Sequence, residues 1–242
     1  MTQWSMVIDL DKCVACQGCS VACRFENNTA VVAPEQAVKG RAIRWNDVFA
    51  MPVNEHEGNG KYPNVKTRYT TRPCMHCDNP ACVKVCPVQA TYKDEQGIVH
   101  QNYERCIGCR FCTVACPYAV RYLNWSDPIW EGAMSEYHNP DKVTGIGVLE
   151  GPPVRIKGVV EKCTYCLHRL RKAEEQAKAE GRAFRPDEYI PACVQTCTAK
   201  ARYFGDLEDP NSTVSQLAKS PRAFRLQEEV GTRPKTIYLA EG

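Results

Sequence analysis

Apolar residues occur along the chain in short runs that are separated by polar and cysteine-containing loops. Short runs rich in Val, Ile and Tyr predict short strands rather than long amphipathic helices. We expect extended segments at residues 6–10, 98–100 and 158–160, and in the runs ATY (90–92), VRYLNW (120–125) and ARYFGDL (201–207). The pattern changes at residues 167–182, LHRLRKAEEQAKAEGR, which predict a helix that ends at Gly181 and has a charged, solvated face.

No apolar run approaches the ~20 residues that a membrane-crossing helix needs. The segment from Met1 to Leu10 has no basic n-region, apolar h-region or pair of arginines, so we expect no export signal there. Any contact with a membrane is therefore expected to come through a partner.

Sixteen cysteines stand in four quartets with regular spacing. The quartets are Cys13, Cys16, Cys19 and Cys23; Cys74, Cys77, Cys82 and Cys86; Cys106, Cys109, Cys112 and Cys116; and Cys163, Cys166, Cys193 and Cys197. The first three quartets are compact, whereas the fourth has 26 residues between its second and third cysteines.

This spacing is typical of iron-sulfur cubes. Three thiolates from one tight loop can bind three irons of a cube, while the fourth, one helical turn beyond the third, points toward a second cube. Disulfides belong mainly to small secreted domains, and neighbouring cysteines this close would form strained crosslinks. Zinc needs two pairs and leaves no role for a third close cysteine or a displaced fourth. We therefore expect four 4Fe-4S clusters, shared in pairs, and no zinc.

The quartets belong to a longer repeat. A tyrosine follows the last cysteine of three quartets by six residues, at Tyr92, Tyr122 and Tyr203, whereas Thr29 takes this place after the first quartet. The three residues between the last two cysteines of each quartet can form one helical turn. Strand, cysteine loop, short helix and strand form the repeating unit of a two-cluster ferredoxin module. We expect an α+β fold with two bacterial-ferredoxin-like βαββαβ modules, nested, with insertions.

The pairing of the quartets follows from their ends. The second and third quartets are 19 residues apart and both end in Cys-Pro, as bacterial ferredoxins do. The first and fourth end in Cys23-Arg24 and Cys197-Thr198. Nested pairing is favoured, with sequential pairing as the open alternative. One module would comprise residues 1–73 plus 158–242, including insertion 24–73, and the other residues 74–157, including insertion 117–157.

The two insertions are long for structureless loops, so we expect them to pack over the modules or against a partner. Their tryptophans, Trp45, Trp125 and Trp130, are candidates for satellite core or for interface anchors.

Composition limits the remaining function classes. Leu, Ile, Val and Phe make up only 47 of 242 residues, and the formal net charge is +3. We infer that the clusters replace much of the apolar core. Four clusters of about two negative charges each would change the total to roughly −5, so the composition gives no support for nucleic-acid binding.

Several cations lie near the quartets, where they either raise the clusters' potentials or remain solvated. Three directly precede a quartet, at Lys12, Arg105 and Lys162, and four more are Arg24, Lys84, Arg110 and Arg121. His76 and His168 lie in or next to cysteine loops, but cysteine already fills every ligand position, so we expect supporting or solvated roles. The chain has no nucleophile elbow, phosphate loop or dinucleotide fingerprint, so no catalysis is expected on it.

A resemblance to a known family covers nearly the whole chain. It is carried by the four quartets, by the stretch CDNPACVKVCPVQATYKDEQGIVHQNYERCIGCRFCTVACPYAVRYL and by the split CTYCLHR…PACVQTC. They resemble the four-cluster electron-transfer (beta) subunits of the complex iron-sulfur molybdoenzyme family, such as those of dimethyl sulfoxide, polysulfide and tetrathionate reductases. The motifs are specific for the subunit type and weakly specific for the substrate.

The resemblance implies nested ligand sets. Cluster 1 would be held by Cys13, Cys16, Cys19 and Cys197, nearest the catalytic subunit; cluster 2 by Cys163, Cys166, Cys193 and Cys23; cluster 3 by Cys74, Cys77, Cys82 and Cys116; and cluster 4 by Cys106, Cys109, Cys112 and Cys86, nearest the membrane. Some relatives lack the second cysteine of the third quartet and hold a three-iron cluster there, whereas this chain has Cys109.

The resemblance also implies the function. The chain would relay electrons between a molybdopterin-type catalytic subunit and an integral membrane subunit that exchanges electrons with quinone. The alternatives are the iron-sulfur wire of a hydrogenase or cytochrome-linked respiratory complex, and a module whose clusters are purely structural. The chain would be membrane-associated through its partners, on the cytoplasmic face or in the periplasm by co-export.

Overall fold

The computed structural model describes residues 2–51, 68–127, 139 and 155–240, in which short strands and helices alternate. The strands are β1 (Trp4–Asp9), β2 (Asp47–Met51), β3 (Arg68–Arg72), β4 (Thr91–Lys93), β5 (Val99–Gln101), β6 (Tyr122–Leu123), β7 (Val160–Glu161), β8 (Arg202–Asp206), β9 (Ala223–Phe224) and β10 (Thr236–Leu239). The helices are α1 (Gly18–Glu26), α2 (Pro34–Val38), α3 (Ala81–Lys84), α4 (Phe111–Ala115), α5 (Leu167–Ala179), α6 (Ala192–Gln195) and α7 (Thr213–Ala218), with 3₁₀ turns at Pro186–Glu188 and Glu228–Val230.

The largest sheet has four strands in the order β8-β1-β10-β9. The central strand β1 runs antiparallel to β8 and parallel to β10, so that Met6 lies between Phe204 and Thr236. All six residues of β1 are buried, including the polar Ser5 and Asp9, so both faces of this central strand are covered. The sequence pattern predicted β1 and β8 but not β10, which the C-terminal segment contributes.

Three antiparallel strand pairs complete the sheets of the described residues: β2 with β3, β4 with β5, and β6 with β7. The pairs β4–β5 and β6–β7 lie at or within two residues of the predicted extended segments. Strands β2 and β3 lie in the first insertion, for which no strands were predicted.

The predicted helical turn between the last two cysteines is present in each quartet, within a helix that begins one residue before the third cysteine. Helices α3, α4 and α6 are only four or five residues long, whereas α1 extends to nine residues. The charged helix α5 ends at Ala179, and Gly181 follows with φ +67°, a left-handed conformation that glycine adopts without strain. Its N-terminal residues Leu167 and Leu170 are buried, so the solvated face covers only part of it.

Aromatic rings form the centre of the main core. Trp4 stacks on Phe204 at 5.3 Å between ring centroids and meets Tyr189 edge to face at 5.1 Å. Trp45 from the first insertion is 2% exposed and joins the same core. Trp125 is partly exposed under the guanidinium of Arg41, 4.2 Å from its ring, while Trp130 lies outside the described residues.

The architecture is therefore a mixed α and β fold with small sheets, compatible with a ferredoxin-like arrangement. Strand β7, which the sequence-based division grouped with the first and fourth quartets, pairs with β6 of the other segment. The C-terminal segment also joins the two segments, because the N–H groups of Lys235 and Thr236 donate to Met75 O. The division into two nested modules remains a proposal.

Candidate iron-sulfur centres

Four cysteines from the two ends of the chain line one cavity. These are Cys13, Cys16, Cys19 and Cys197, called set one below. The loop before α1 supplies Cys13 and Cys16, the first turn of α1 supplies Cys19, and Cys197 follows the end of α6 by two residues. Helices α1 and α6 pack against each other, and this contact brings residues about 180 positions apart in sequence to the same cavity.

A second cavity is lined by Cys86, Cys106, Cys109 and Cys112, called set four. It repeats the arrangement of set one, because the loop before α4 supplies Cys106 and Cys109, the first turn of α4 supplies Cys112, and Cys86 follows the end of α3 by two residues. Helices α3 and α4 pack against each other. The backbone N–H of Val160 in β7 reaches this set and donates to Cys106 Sγ at 3.4 Å.

Set two, which consists of Cys23, Cys163, Cys166 and Cys193, is fully buried. Burial and the neighbouring thiols of Cys163, Cys166 and Cys193 raise the pKa of Cys23. The side-chain amide of Asn27 lies 3.7 Å from the sulfurs of both Cys23 and Cys166. Cys23 therefore lies beside cysteines of the fourth quartet.

Set three consists of Cys74, Cys77, Cys82 and Cys116. Burial raises the pKa of Cys77 to about 12, and the nearby thiols of Cys74, Cys82 and Cys116 act in the same direction. Burial and Cys74 likewise raise the pKa of Cys116. The last cysteine of the third quartet therefore lies beside cysteines of the second.

Backbone conformation gives each cysteine loop its tight turn. The residue before the second cysteine of every quartet has a positive φ: 55° at Ala15, 42° at His76, 65° at Gly108 and 57° at Tyr165. At Gly108 the space is also restricted, since a Cβ there would come within 2.0 Å of Gly158 O. The loops hold this conformation with non-glycine residues at three of the four places, against the usual preference.

Backbone N–H groups are directed at several sulfurs. Thr91 donates to Cys86 Sγ at 3.4 Å and Ala201 to Cys197 Sγ at 3.3 Å, both just beyond a quartet's last cysteine. For Cys86, burial raises the pKa but the bonds from Thr91 and other backbone groups outweigh it, so the pKa falls below its ordinary value. Such N–H groups stabilise a thiolate, and they remain available to a sulfur that binds iron.

The donor set fits a cube better than a single ion. No three His, Cys, Asp or Glu side chains of the described residues are close enough to hold one metal ion. In a cube each thiolate binds a different iron, so the thiolates stand around a larger body. Buried N–H donors without a hydrogen-bond partner point the same way: Arg121 Nε and Nη1 have none, and thiols of sets three and four lie near this guanidinium. Thiols grouped in fours, with N–H donors beside several of them, fit the chemistry of cubes.

The inner sets meet at a stacked aromatic pair. His76, between Cys74 and Cys77, stacks on Tyr165, between Cys163 and Cys166, with ring centroids 3.7 Å apart. Both rings are buried, and the Nδ1 of His76 accepts from the N–H of Val99. The histidine therefore has the supporting position that the sequence indicated, while the role of Tyr165 was not foreseen.

The cations differ in their surroundings. Lys162 is fully buried and donates to Cys163 O at 2.6 Å, whereas Lys12 is exposed and donates to the hydroxyl of Tyr203 at 2.7 Å. Arg121 is buried, which excludes a solvated role for it. Arg202, which also lines the cavity of set one, was missed. The repeat contains the signal that could have identified it, because Arg121 and Arg202 each follow a quartet's last cysteine by five residues.

Comparisons with known proteins identify iron-sulfur relatives of the chain. A family model described as a 4Fe-4S dicluster domain matches residues 65–142, which contain the second and third quartets. The chain is 45% identical to the iron-sulfur cluster-binding subunit of menaquinone reductase from Nitratidesulfovibrio vulgaris, over 98% of this chain and 89% of that protein. It is 41% identical to a selenate reductase subunit from Mesobacillus selenatarsenatis, over 98% of this chain and 72% of that protein. It is 38% identical to the iron-sulfur subunit of arsenate respiratory reductase from Shewanella sp., over 97% of this chain and 94% of that protein.

Proposed function

Because the chain belongs to the family of ferredoxin-type iron-sulfur (beta) subunits of the complex iron-sulfur molybdoenzymes, we propose that it carries four 4Fe-4S clusters and relays electrons through a quinone-linked reductase complex. Its partners are a molybdopterin-type catalytic subunit and an integral membrane subunit that exchanges electrons with quinone. When bound, the clusters supply one-electron transfer, and this chain's own residues position them and set their surroundings.

The proposed ligands follow the four sets. Set one holds cluster 1, set two cluster 2, set three cluster 3 and set four cluster 4. The shared cavities of the outer sets and the mutual pKa effects within the inner sets support this nested pairing. Sequential pairing would place Cys23 with the second quartet, and the contact of Asn27 with both Cys23 and Cys166 speaks against that.

One observation carries the proposal: the sets lie near each other in the order one, two, three, four. The Cys19 thiol of set one lies near Cys193 of set two and contributes to its raised pKa. Cys163 of set two is affected by Cys74 of set three, beside the stack of His76 on Tyr165. Sets three and four face the same guanidinium, that of Arg121. A continuous series of redox sites is what an electron relay needs.

The two ends of this series reach the surface. Of the sixteen cysteines, all in the described part of the chain, Cys16 of set one and Cys109 of set four are exposed. Exposed apolar side chains surround Cys109, namely Ile107, Phe111 and Val114, the last 82% exposed. In the order implied by the family, the membrane subunit docks at Cys109 and the catalytic subunit at Cys16, where Val14 is exposed.

Among the described residues, no helix has the length and apolar character to cross a bilayer. We therefore assign membrane association to the partner subunit, and the side of the membrane to that partner's topology.

The test is anaerobic purification of the native complex. We expect about 16 iron and 16 acid-labile sulfide per chain, together with molybdenum or tungsten in a co-purifying large subunit and a membrane protein that reacts with quinone. Stoichiometric zinc with little sulfide would refute the cluster assignment. Nickel in place of molybdenum or tungsten would instead assign the relay to a hydrogenase.

A further inference from the structure

Two arginines are buried at equivalent places in the internal repeat. Arg121 follows Cys116 by five residues and precedes Tyr122, and Arg202 follows Cys197 by five residues and precedes a tyrosine of the same repeat. They are 6% and 4% exposed. A charge at such depth is strongly unfavourable unless an opposite charge lies close to it.

The partners of Arg202 are neutral. Its Nη2 donates to Asn46 Oδ1 at 2.7 Å and to Thr71 Oγ1, and its Nη1 lies 3.5 Å from Met6 Sδ. Within the described ranges no carboxylate stands at ion-pair distance from this guanidinium. Buried Arg155 shows the usual alternative, since its Nε pairs with Glu161 Oε2 at 2.5 Å.

Arg121 has the same kind of surroundings. Its Nη2 donates to Thr91 Oγ1 at 2.8 Å and to Gln101 Oε1 at 2.5 Å. Its Nε and Nη1 have no hydrogen-bond partner, and no described carboxylate is paired with it. A threonine hydroxyl and a side-chain carbonyl thus bind one edge of each guanidinium, and neither of these partners neutralises its positive charge.

In both cases the positive charge lies near thiols of two sets at once. Arg202 lines the cavity of set one and also lies beside the sulfur of Cys193 in set two. Arg121 lies beside the sulfur of Cys112 in set four and near Cys82 in set three. A guanidinium stays protonated at any physiological pH, so both arginines carry a full positive charge beside these sulfurs.

We propose that Arg121 and Arg202 are the internal counter-charges of the two cluster pairs, each shared by the two cubes beside it. This inference rests on the proposed function, since it requires cubes in all four sets. Reduction adds one negative charge to a cube, so a nearby fixed cation stabilises the reduced form and raises the potential. Because one guanidinium serves two cubes, it raises both potentials together and keeps electron transfer between them nearly balanced.

The experiment uses the intact complex and four variants, Arg202→Gln, Arg202→Lys, Arg121→Gln and Arg121→Lys. Redox titration followed by electron paramagnetic resonance gives each cluster's potential, with signals assigned through single cysteine variants. Arg202→Gln should lower the reduction equilibrium constants of clusters 1 and 2 by tenfold or more, which is about 59 mV for one electron. Clusters 3 and 4 should respond instead to Arg121→Gln. Both lysine variants should keep most of the original potential, because they keep the positive charge.

Arg185→Gln is the matched control, because Arg185 is exposed and its ion pairs are with Asp187 and Glu188. It should leave all four potentials unchanged. Unchanged potentials in Arg202→Gln with four clusters present would overturn the inference, and so would a shift of only one cluster of the pair.

Loss of a cluster pair is also informative. If Arg202→Gln lacks clusters 1 and 2 and Arg202→Lys contains them, the guanidinium's charge is what the pair requires, and the inference stands. If the lysine variant also lacks them, shape rather than charge matters and the inference fails. Iron and sulfide analysis of the unsubstituted protein separates this from failure of the proposed function, which would show fewer than four clusters before any substitution.

Discussion

Glu26 links helix α1 to helix α5 beside set two, and replacing it by glutamine should destabilise the protein. One carboxylate oxygen lies 2.6 Å from His168 Nε2 and 2.5 Å from Arg169 Nε, and the other accepts from Arg169 Nη2 at 2.7 Å. Burial raises the pKa of Glu26, but these hydrogen bonds and charges outweigh it and lower the pKa from 4.5 to about 2.

The size of the effect follows from this pKa. A fall of about 2.5 pH units, at ~1.36 kcal/mol each, corresponds to ~3.4 kcal/mol of stabilisation of the folded state. Glutamine Oε1 can still accept one of the bonds, so we expect Glu26→Gln to cost about 2–3 kcal/mol. For a chain of this length that corresponds to a decrease of about 5–10 °C in melting temperature.

The pH dependence has a definite sign. Because the folded-state pKa is lowered, the stabilisation is complete above about pH 4.5 and is lost as the pH falls toward 2. The difference between Glu26→Gln and the unsubstituted protein should therefore still be present at pH 5.5, above the ordinary glutamate pKa.

Thermal loss of cluster absorbance, scanned anaerobically at one fixed rate, measures the difference. Glu180→Gln serves as control, because Glu180 forms an exposed ion pair with Arg182 and should be without measurable effect. A Glu26→Gln variant as stable as the control at pH 5.5 and at pH 8 would refute the reasoning.

Three further predictions concern the sites themselves. Cys23→Ser should alter the resonance signal of the cluster bound by the fourth quartet's first three cysteines, and an altered signal of the second quartet's cluster instead would favour sequential pairing. Cys109→Ser should convert one cluster to a three-iron form or empty it while three persist, and should slow electron transfer to quinone; an unchanged spectrum with unchanged turnover contradicts that assignment. Gly108→Ala should lower the occupancy of the same cluster, because its Cβ would meet Gly158 O at 2.0 Å with φ at +65°. Gly181→Ala is the matched control, because Gly181 has a similar φ of +67° but nothing within 4 Å of its Cβ, and it should retain the iron content.

Burial of the inner sets explains why the chain and its clusters depend on each other. Burial raises the pKa of Cys163 to about 12, and neighbouring thiols add to this. Without iron these buried thiols stay protonated. Iron binds the thiolate form and supplies the positive charge that stabilises it. The residues around the inner sets thus gain stability mainly when the clusters are present.

The sequence determined the chemistry, because ligand spacing is a local property. A cysteine loop of fixed length followed by one helical turn places three thiols on one body and a fourth on another, whatever surrounds it. The same local reasoning predicted strands β4–β7 near their observed positions and the start of helix α5 at Leu167. The Cys-Pro ends even favoured nested pairing, although local spacing alone left sequential pairing open.

Only the tertiary structure decided what surrounds the sites, since those contacts join residues far apart in the chain. Strand β10 reaches the centre of the main sheet by pairing with β1, more than 220 residues away, and local sequence could not identify that partner. Lys12 and Lys162 occupy the same place before their quartets, yet one is exposed and the other fully buried. Whether a cation is solvated or faces a cluster depends on long-range packing, which local sequence patterns do not specify.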